Sequence, residues 1–171
     1  MGKIICINRG LGGKRMATIF DVANYFILKA NSEEENPMTP LKLQKLCYYA
    51  QGWNLAWDDR ELFNDDFEAW VHGPANYSLY KKYNSISRNC CIDEVDEGFN
   101  VDIFCKDEIE TLDTVWDAYG KFSGTYLEQL THQEDPWKTT RGQLPPGASS
   151  SEIISKDTIK KFFLHQNEKE N

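Results

Sequence analysis

Several patterns that mark common functional classes are missing from this sequence. No apolar run approaches the roughly 20 residues of a membrane-spanning helix, so we expect no such span. The formal net charge of −8 lacks the basic excess that nonspecific nucleic-acid binding requires. The chain also has no HExxH pair, no GxSxG nucleophile turn, no phosphate loop and no dinucleotide-binding glycine pattern. We therefore expect no cofactor, and a nucleic-acid partner is disfavoured.

Cysteines and histidines show no organised spacing either. The five cysteines are odd in number and include no CxxC pair, which predicts thiols in a reducing compartment rather than a disulfide framework. His72, His132 and His165 are far apart and lack a second ligand at helical spacing, so no metal site is expected. Adjacent carboxylates such as Asp58 and Asp59 are more typical of solvated loops than of an acid–base pair. No catalytic residues are predicted.

The chain does contain an aromatic-rich helix between Met38 and Trp57. Thr39 can cap its N-terminus, and Pro40 suits the first turn, where its missing N–H is not needed. Apolar residues cover most of its faces, which is typical of a central helix buried by its neighbours. The residues predicted to form the core are Leu43, Leu46, Tyr49, Ala50 and Trp53 on this helix and Trp116 on a later one.

These patterns predict a mainly α protein, a single compact helical domain over residues 16–165 with a small β element. A short strand is expected at 68–71, with Gly73 ending it and Pro74 beginning the next helix. Residues 90–92 and 99–104 are candidates for the two strands of a hairpin, and 138–151 is a loop by composition. Residues 1–15 are predicted to be a flexible tail outside the fold, and residues 166–171 are expected to fray.

Two segments, 70–74 and 131–137, carry residues suited to partner contact. The second follows a helix and ends in Pro-Trp, a rigid turn with a large side chain. One interpretation is that Trp137 packs into the core and His132 caps the helix end. The other is a recognition surface, since Trp is enriched in interface hot spots. The same alternatives apply to the first segment. The candidate partner-binding residues are Trp70, His72, Gly73, Pro74, Thr131, His132, Gln133, Glu134 and Trp137.

An ordered set of segments resembles the Panacea domain, the SocA-like antitoxin family that is also described among phage-associated GepA-like proteins. The segments are PLKLQKLCYYAQGW, LFNDDFEAWVHGP, a tyrosine-containing helix, VWDAYGKFSGTYLEQLTHQEDPW and ISKDTIKKFF. They cover roughly Ala17 to Phe163 in the family's order. His72 and Ala75 depart from residues common in the family, which bears on specificity rather than on membership.

The resemblance implies an antitoxin that neutralises a cognate toxin, encoded beside it, by direct protein–protein binding. It leaves open an alternative role as a proteolytic adaptor that delivers the toxin to a cytoplasmic ATP-dependent protease. A small enzyme using His132 or a cysteine is the least favoured alternative. The resemblance also implies a cytoplasmic protein with no membrane partner.

Overall fold

A computed structural model describes residues 14–88 and 90–170. The described part is mainly α-helical and contains seven α-helices and one small antiparallel sheet. The elements in chain order are α1 Ile19–Asn31, α2 Pro40–Asp58, β1 Phe67–Trp70, β2 Gly73–Ala75, α3 Tyr77–Tyr83, a 3₁₀ turn at Val101–Ile103, α4 Lys106–Tyr119, α5 Gly124–Gln133, α6 Asp135–Arg141, β3 Ile153–Ile154 and α7 Lys156–Glu170. This architecture confirms the predicted fold class.

Helix α2 is the centre of the fold, as the sequence predicts. The Thr39 side chain accepts a hydrogen bond from the Lys42 amide, and Pro40 occupies the first turn. Every residue from Leu41 to Leu55 is buried, because α1, α3, α4, α5, α7 and β2 all pack against this helix. The six residues predicted to form the core, Leu43, Leu46, Tyr49, Ala50, Trp53 and Trp116, are all buried.

Polar side chains on α2 hold the loops around it. Gln51 donates to the Phe63 carbonyl at 2.6 Å and accepts from the Leu62 amide at 2.8 Å. Asn54 donates to the Arg60 carbonyl at 2.9 Å. These buried amides thus satisfy backbone groups of the segment that leads from α2 to β1, which would otherwise be costly to bury.

The sheet has the order β2-β1-β3, and both pairings are antiparallel. Pro74 lies in β2 opposite Ala69, so the prediction that it begins a helix is wrong. An edge strand tolerates proline because one side of it needs no N–H donor. Helix α3 begins later, where the Asn76 side chain accepts from the Leu79 amide at 2.8 Å.

The possible hairpin at 90–92 and 99–104 does not form; the hairpin of this fold is β1–β2. Long-range hydrogen bonds hold the 90–104 segment instead. The Ile92 amide donates to the Met38 carbonyl at 2.7 Å. Asn24 on α1 exchanges two hydrogen bonds with Asp96, at 2.9 and 3.0 Å. A segment whose backbone is bound in this way has no need of a strand partner.

The C-terminal part is more helical than the sequence indicates. The predicted loop at 138–151 includes the second half of α6, because Pro136 suits the first turn of a helix. At the end of α6 the buried Arg141 donates to the Ala69 carbonyl at 2.9 Å and to three carbonyls of the following loop. Helix α7 continues to Glu170 and so includes most of the residues expected to fray.

Residues 1–13 of the predicted N-terminal tail lie outside the described residues. The last two residues of that tail contact the fold: Lys14 donates to the Asp102 carbonyl, and Arg15 forms a two-pronged pair with Asp21 at 2.6 and 2.9 Å.

Cys105 is disulfide-bonded, so the prediction of thiols alone is wrong at this position. Within residues 14–88 and 90–170, no helix is long and apolar enough to cross a membrane.

Candidate functional site

The structure brings the two predicted partner-binding segments together. The β1–β2 turn lies against α5 and α6, and the Trp137 indole N–H donates to the Trp70 carbonyl at 2.7 Å. Gly73 has a φ of +88°, and a Cβ at this position would lie 2.5 Å from Thr131 Oγ1. Only glycine combines this left-handed conformation with so close an approach.

His132 lies behind the turn. Its ring stacks on Trp137 with ring centroids 4.1 Å apart, and Trp137 is buried. Burial lowers the pKa of His132 below its ordinary value, and its Nε2 atom has no hydrogen-bond partner among the described residues. Trp137 is therefore buried, as the fold-holding interpretation of the 131–137 segment expects, whereas His132 stacks on it and bonds to the Val71 backbone instead of capping the helix end.

The nine candidate residues therefore divide by position. Four are buried and support the surface from below: Gly73, Pro74, Thr131 and Trp137. Trp70 and His132 are half-buried, and His72 and Gln133 are exposed. The ninth, Glu134, points inward, where Tyr49 Oη donates to its Oε1 at 2.9 Å. Burial raises the pKa of Glu134 to about 8, and its Oε2 atom is buried with no hydrogen-bond partner among the described residues.

His72 belongs to a charged cluster that joins three elements. Its Nδ1 lies 2.7 Å from Glu128 Oε1 on α5, and Arg88 from the loop after α3 donates to Glu128 Oε2 at 2.8 Å. Burial opposes ionisation of Glu128, but the hydrogen bond to His72 and the positive charges of Arg88 and Lys45 hold its pKa below the ordinary value. The cluster links the hairpin turn to α5 and to the loop after α3.

Three aromatic side chains extend this surface. The Trp70 ring lies 5.2 Å from Tyr80 and 6.4 Å from Tyr77, both in edge-to-face geometry. Tyr77 is 54% exposed and Tyr80 48% exposed, so the rings form a patch open to solvent. We call Trp70, Tyr77 and Tyr80, with His72 and Arg88 beside them, the aromatic face.

Sequence reasoning missed Tyr77, Tyr80, Arg88 and Glu128. A signal existed for the tyrosines, because Tyr77 and Tyr80 are three residues apart on a helix whose other face buries Leu79 and Tyr83. No sequence signal could have found the pairing of Arg88 and Glu128, which are 40 residues apart.

The aromatic face presents side chains of the types that proteins use for binding. In the part of the chain that the structure describes, no group of three or more His, Cys, Asp or Glu residues could hold a metal ion. Trp, Tyr and Arg are the residue types that dominate interface energetics.

Comparison with known proteins places these residues within a defined family region. The model of the family described as antitoxin SocA-like, Panacea domain, matches residues 43–138. The antitoxin SocA of Caulobacter vibrioides (strain NA1000 / CB15N) is 29% identical over 125 residues, which is 68% of this chain and 66% of that protein. The chain thus spans slightly less than two thirds of this relative. No solved structure matches.

Proposed function

Because the chain belongs to the SocA-like Panacea domain family of antitoxins, we propose that it neutralises a cognate protein toxin by direct, stoichiometric contact. The observation that supports a contact mechanism is the aromatic face, where two tyrosines about half exposed flank Trp70. All five of its residues lie within the region that the family model matches. We expect the toxin to be encoded next to this chain and the complex to form in the cytoplasm.

The aromatic face has the composition of an interface hot spot. Tyrosine and tryptophan offer large contact areas and lose few rotatable bonds on binding. Arg88 and Glu128 add a charged pair whose carboxylate is mostly buried, with 13% of its side chain exposed. Such a pair favours one orientation of a partner over another.

Contacts beneath the face keep it in one conformation before a partner arrives. The Trp137 indole N–H donates to the Trp70 carbonyl, and the Gly73 backbone packs closely against the Thr131 side chain. Lys45 on α2 donates to the Pro74 carbonyl at 2.9 Å. A preorganised surface loses less conformational entropy on binding, so more of the contact energy appears as affinity.

Alanine variants of the two exposed tyrosines test this placement. We expect Tyr77→Ala and Tyr80→Ala each to weaken binding to the product of the adjacent gene by about tenfold or more, the effect of a hot-spot truncation. Growth rescue during toxin expression should fall in parallel. Both variants should keep the parent's melting temperature within a few degrees, because exposed positions contribute little to stability.

Tyr126→Ala is the matched control, since this tyrosine is 47% exposed and stacks on Phe122. It lies two residues from Glu128 on α5 and so points away from the charged cluster. It should bind and rescue as the parent does. Equal binding by all three folded tyrosine variants would show that the aromatic face is not the contact.

His72→Ala and Gln133→Ala extend the test to the sequence-predicted residues that are exposed. Glu134→Ala is unsuitable as a surface probe, because the Glu134 carboxylate is buried against Tyr49. If the parent protein neither binds the neighbouring gene product nor rescues growth, direct neutralisation of that partner is refuted.

A purified system separates neutralisation by contact from delivery to a protease. Mixed with the toxin alone, this chain should abolish toxin activity at a one-to-one ratio. An adaptor would leave the toxin active until an ATP-dependent protease and ATP were added. Toxin loss only under the second condition would favour the adaptor role.

A further inference from the structure

A cavity of about 300 Å³ opens beside the aromatic face. It lies between the first half of α2, strand β2, helix α3 and the loop that follows α3. Apolar side chains form most of its wall, among them Leu41, Ala75, Leu79 and Ile86. Its size is at the lower end of the range for small-molecule sites, which are mostly apolar with a few polar groups.

The polar group of interest in this wall is Lys45. It is only 1% exposed, although lysine is almost never fully buried without a charged partner in contact. Its ammonium donates to the Pro74 carbonyl at 2.9 Å, and this is its one hydrogen bond to a described residue. An ammonium carries three N–H donors, so two have no acceptor in the described part of the chain.

The neighbouring polar residue in the wall, Gln44, uses both its amide nitrogen and its amide oxygen in hydrogen bonds to the main chain. It donates to the Asn76 carbonyl at 3.0 Å and accepts from the Asn76 amide at 2.8 Å. Gln44 therefore positions the start of α3, whereas Lys45 keeps donor capacity for a ligand.

The electrostatic surroundings favour an anion at Lys45. Arg88, also in the cavity wall, adds a second positive charge, and Glu128 supplies a negative charge that Arg88 itself engages at 2.8 Å. Burial, together with Arg88, outweighs the attraction of Glu128 and lowers the pKa of Lys45 to about 7. A ligand carboxylate would accept hydrogen bonds from the two unused N–H donors and would compensate the buried positive charge.

We propose that this cavity is a binding site for a small monocarboxylic acid with an apolar body. The carboxylate accepts hydrogen bonds from the Lys45 ammonium, and the apolar body packs against Leu41, Leu79 and Ile86. The cavity adjoins the proposed toxin contact, because Trp70, His72, Tyr80 and Arg88 belong both to its wall and to the aromatic face.

Calorimetric titration of the purified chain with phenylacetate, 3-phenylpropionate and hexanoate tests the proposal. At least one acid should bind about tenfold or more tightly than the matching neutral amide, since a hydrogen bond to a charged group is worth about 1.5–3 kcal/mol. Lys45→Met keeps an unbranched side chain, one atom shorter, and removes the charge. It should bind acid and amide equally.

Lys42→Met is the matched control. Lys42 is on the same helix and 3% exposed, but its ammonium bonds to Asn36 and lies over the Trp116 ring, away from the cavity. This variant should keep the parent's preference for acids. Should Lys45→Met not fold, NMR of the parent labelled with ¹³C at lysine Cε gives an independent reading, because the acid should move the signal of one buried lysine.

The proposal is overturned if none of the three acids binds, if acids and amides bind alike, or if Lys45→Met keeps the acid preference. It is also overturned if no buried lysine signal moves. None of these measurements involves the toxin, so the outcome is independent of the proposed antitoxin contact.

Discussion

Replacing Glu134 with glutamine removes a buried ionisable group and keeps its shape. The amide retains an oxygen that can accept the Tyr49 hydroxyl, whose distance to Glu134 Oε1 is 2.9 Å. What changes is that the side chain can no longer become negatively charged inside the protein. The variant therefore isolates the free-energy cost of ionising Glu134 in the folded state.

The magnitude follows from the pKa of Glu134, which burial raises from an ordinary 4.5 to about 8. The folded protein therefore holds a proton there that the unfolded chain releases, so stability falls as pH rises from about 4.5 to about 8. At about 1.4 kcal/mol per pKa unit, the full cost at pH above 8 is on the order of 5 kcal/mol. Water penetration reduces this, so Glu134→Gln should be about 2–5 kcal/mol more stable than the parent at pH 8.5.

Urea unfolding of both proteins between pH 5 and pH 8.5 measures the effect. Subtracting the parent from the variant at each pH cancels the other titrating groups, including Lys45 and His132. The difference should be less than about 1 kcal/mol near pH 5, where the glutamate is protonated, and should grow with pH. A difference that does not change with pH would refute the reasoning, because it would mean that Glu134 titrates alike in the folded and unfolded states.

Three further predictions concern packing and the chain start. Leu46→Ala should lower the free energy of unfolding by about 2–5 kcal/mol in urea melts, and a loss below about half a kcal/mol would contradict its burial in the core. Gly52→Ala should destabilise by about 1–3 kcal/mol, because a Cβ there would lie 2.2 Å from the Phe163 ring; Phe163→Leu in the same chain should recover part of the loss. Residues 1–15 should be dispensable, so a chain beginning at Met16 should keep its melting temperature; a marked drop would show that contacts such as the Arg15–Asp21 pair matter.

Elements with local signals could be predicted from the sequence. The Thr39-Pro40 start of α2 and the Thr18–Asp21 capping box of α1 each need only residues within one turn. The central position of α2 was also predictable, because a helix apolar on most faces must be covered on most faces.

Features that depend on distant partners could not be predicted. Pro74 lies in a strand because β1 pairs with it and the Lys45 ammonium binds its carbonyl, 29 residues away in sequence. Glu134 turns inward because Tyr49, 85 residues away, lies beneath it. The 131–137 segment indicated a turn with a large anchor, but its sequence did not show which of its polar side chains would reach solvent.

The same limit applies to the candidate site. The sequence directed attention to Trp70 and His72, and the structure adds Tyr77, Tyr80 and Arg88 from elements that the sequence did not connect to them. The helical spacing of the tyrosines was visible, but their proximity to Trp70 depends on how α3 packs beside the hairpin.

The polar side chains of α2 have a consequence for how this surface can diversify. Gln44 and Lys45 bind main-chain groups of Asn76 and Pro74, so these hydrogen bonds do not require particular side chains on the hairpin or at the start of α3. Substitution of an exposed residue such as Tyr77 or Tyr80 leaves these anchoring bonds intact. Mutations at the exposed positions can thus alter which partner is recognised while the path of the main chain is retained. The residues that determine specificity are therefore different from the residues that hold the fold of this surface.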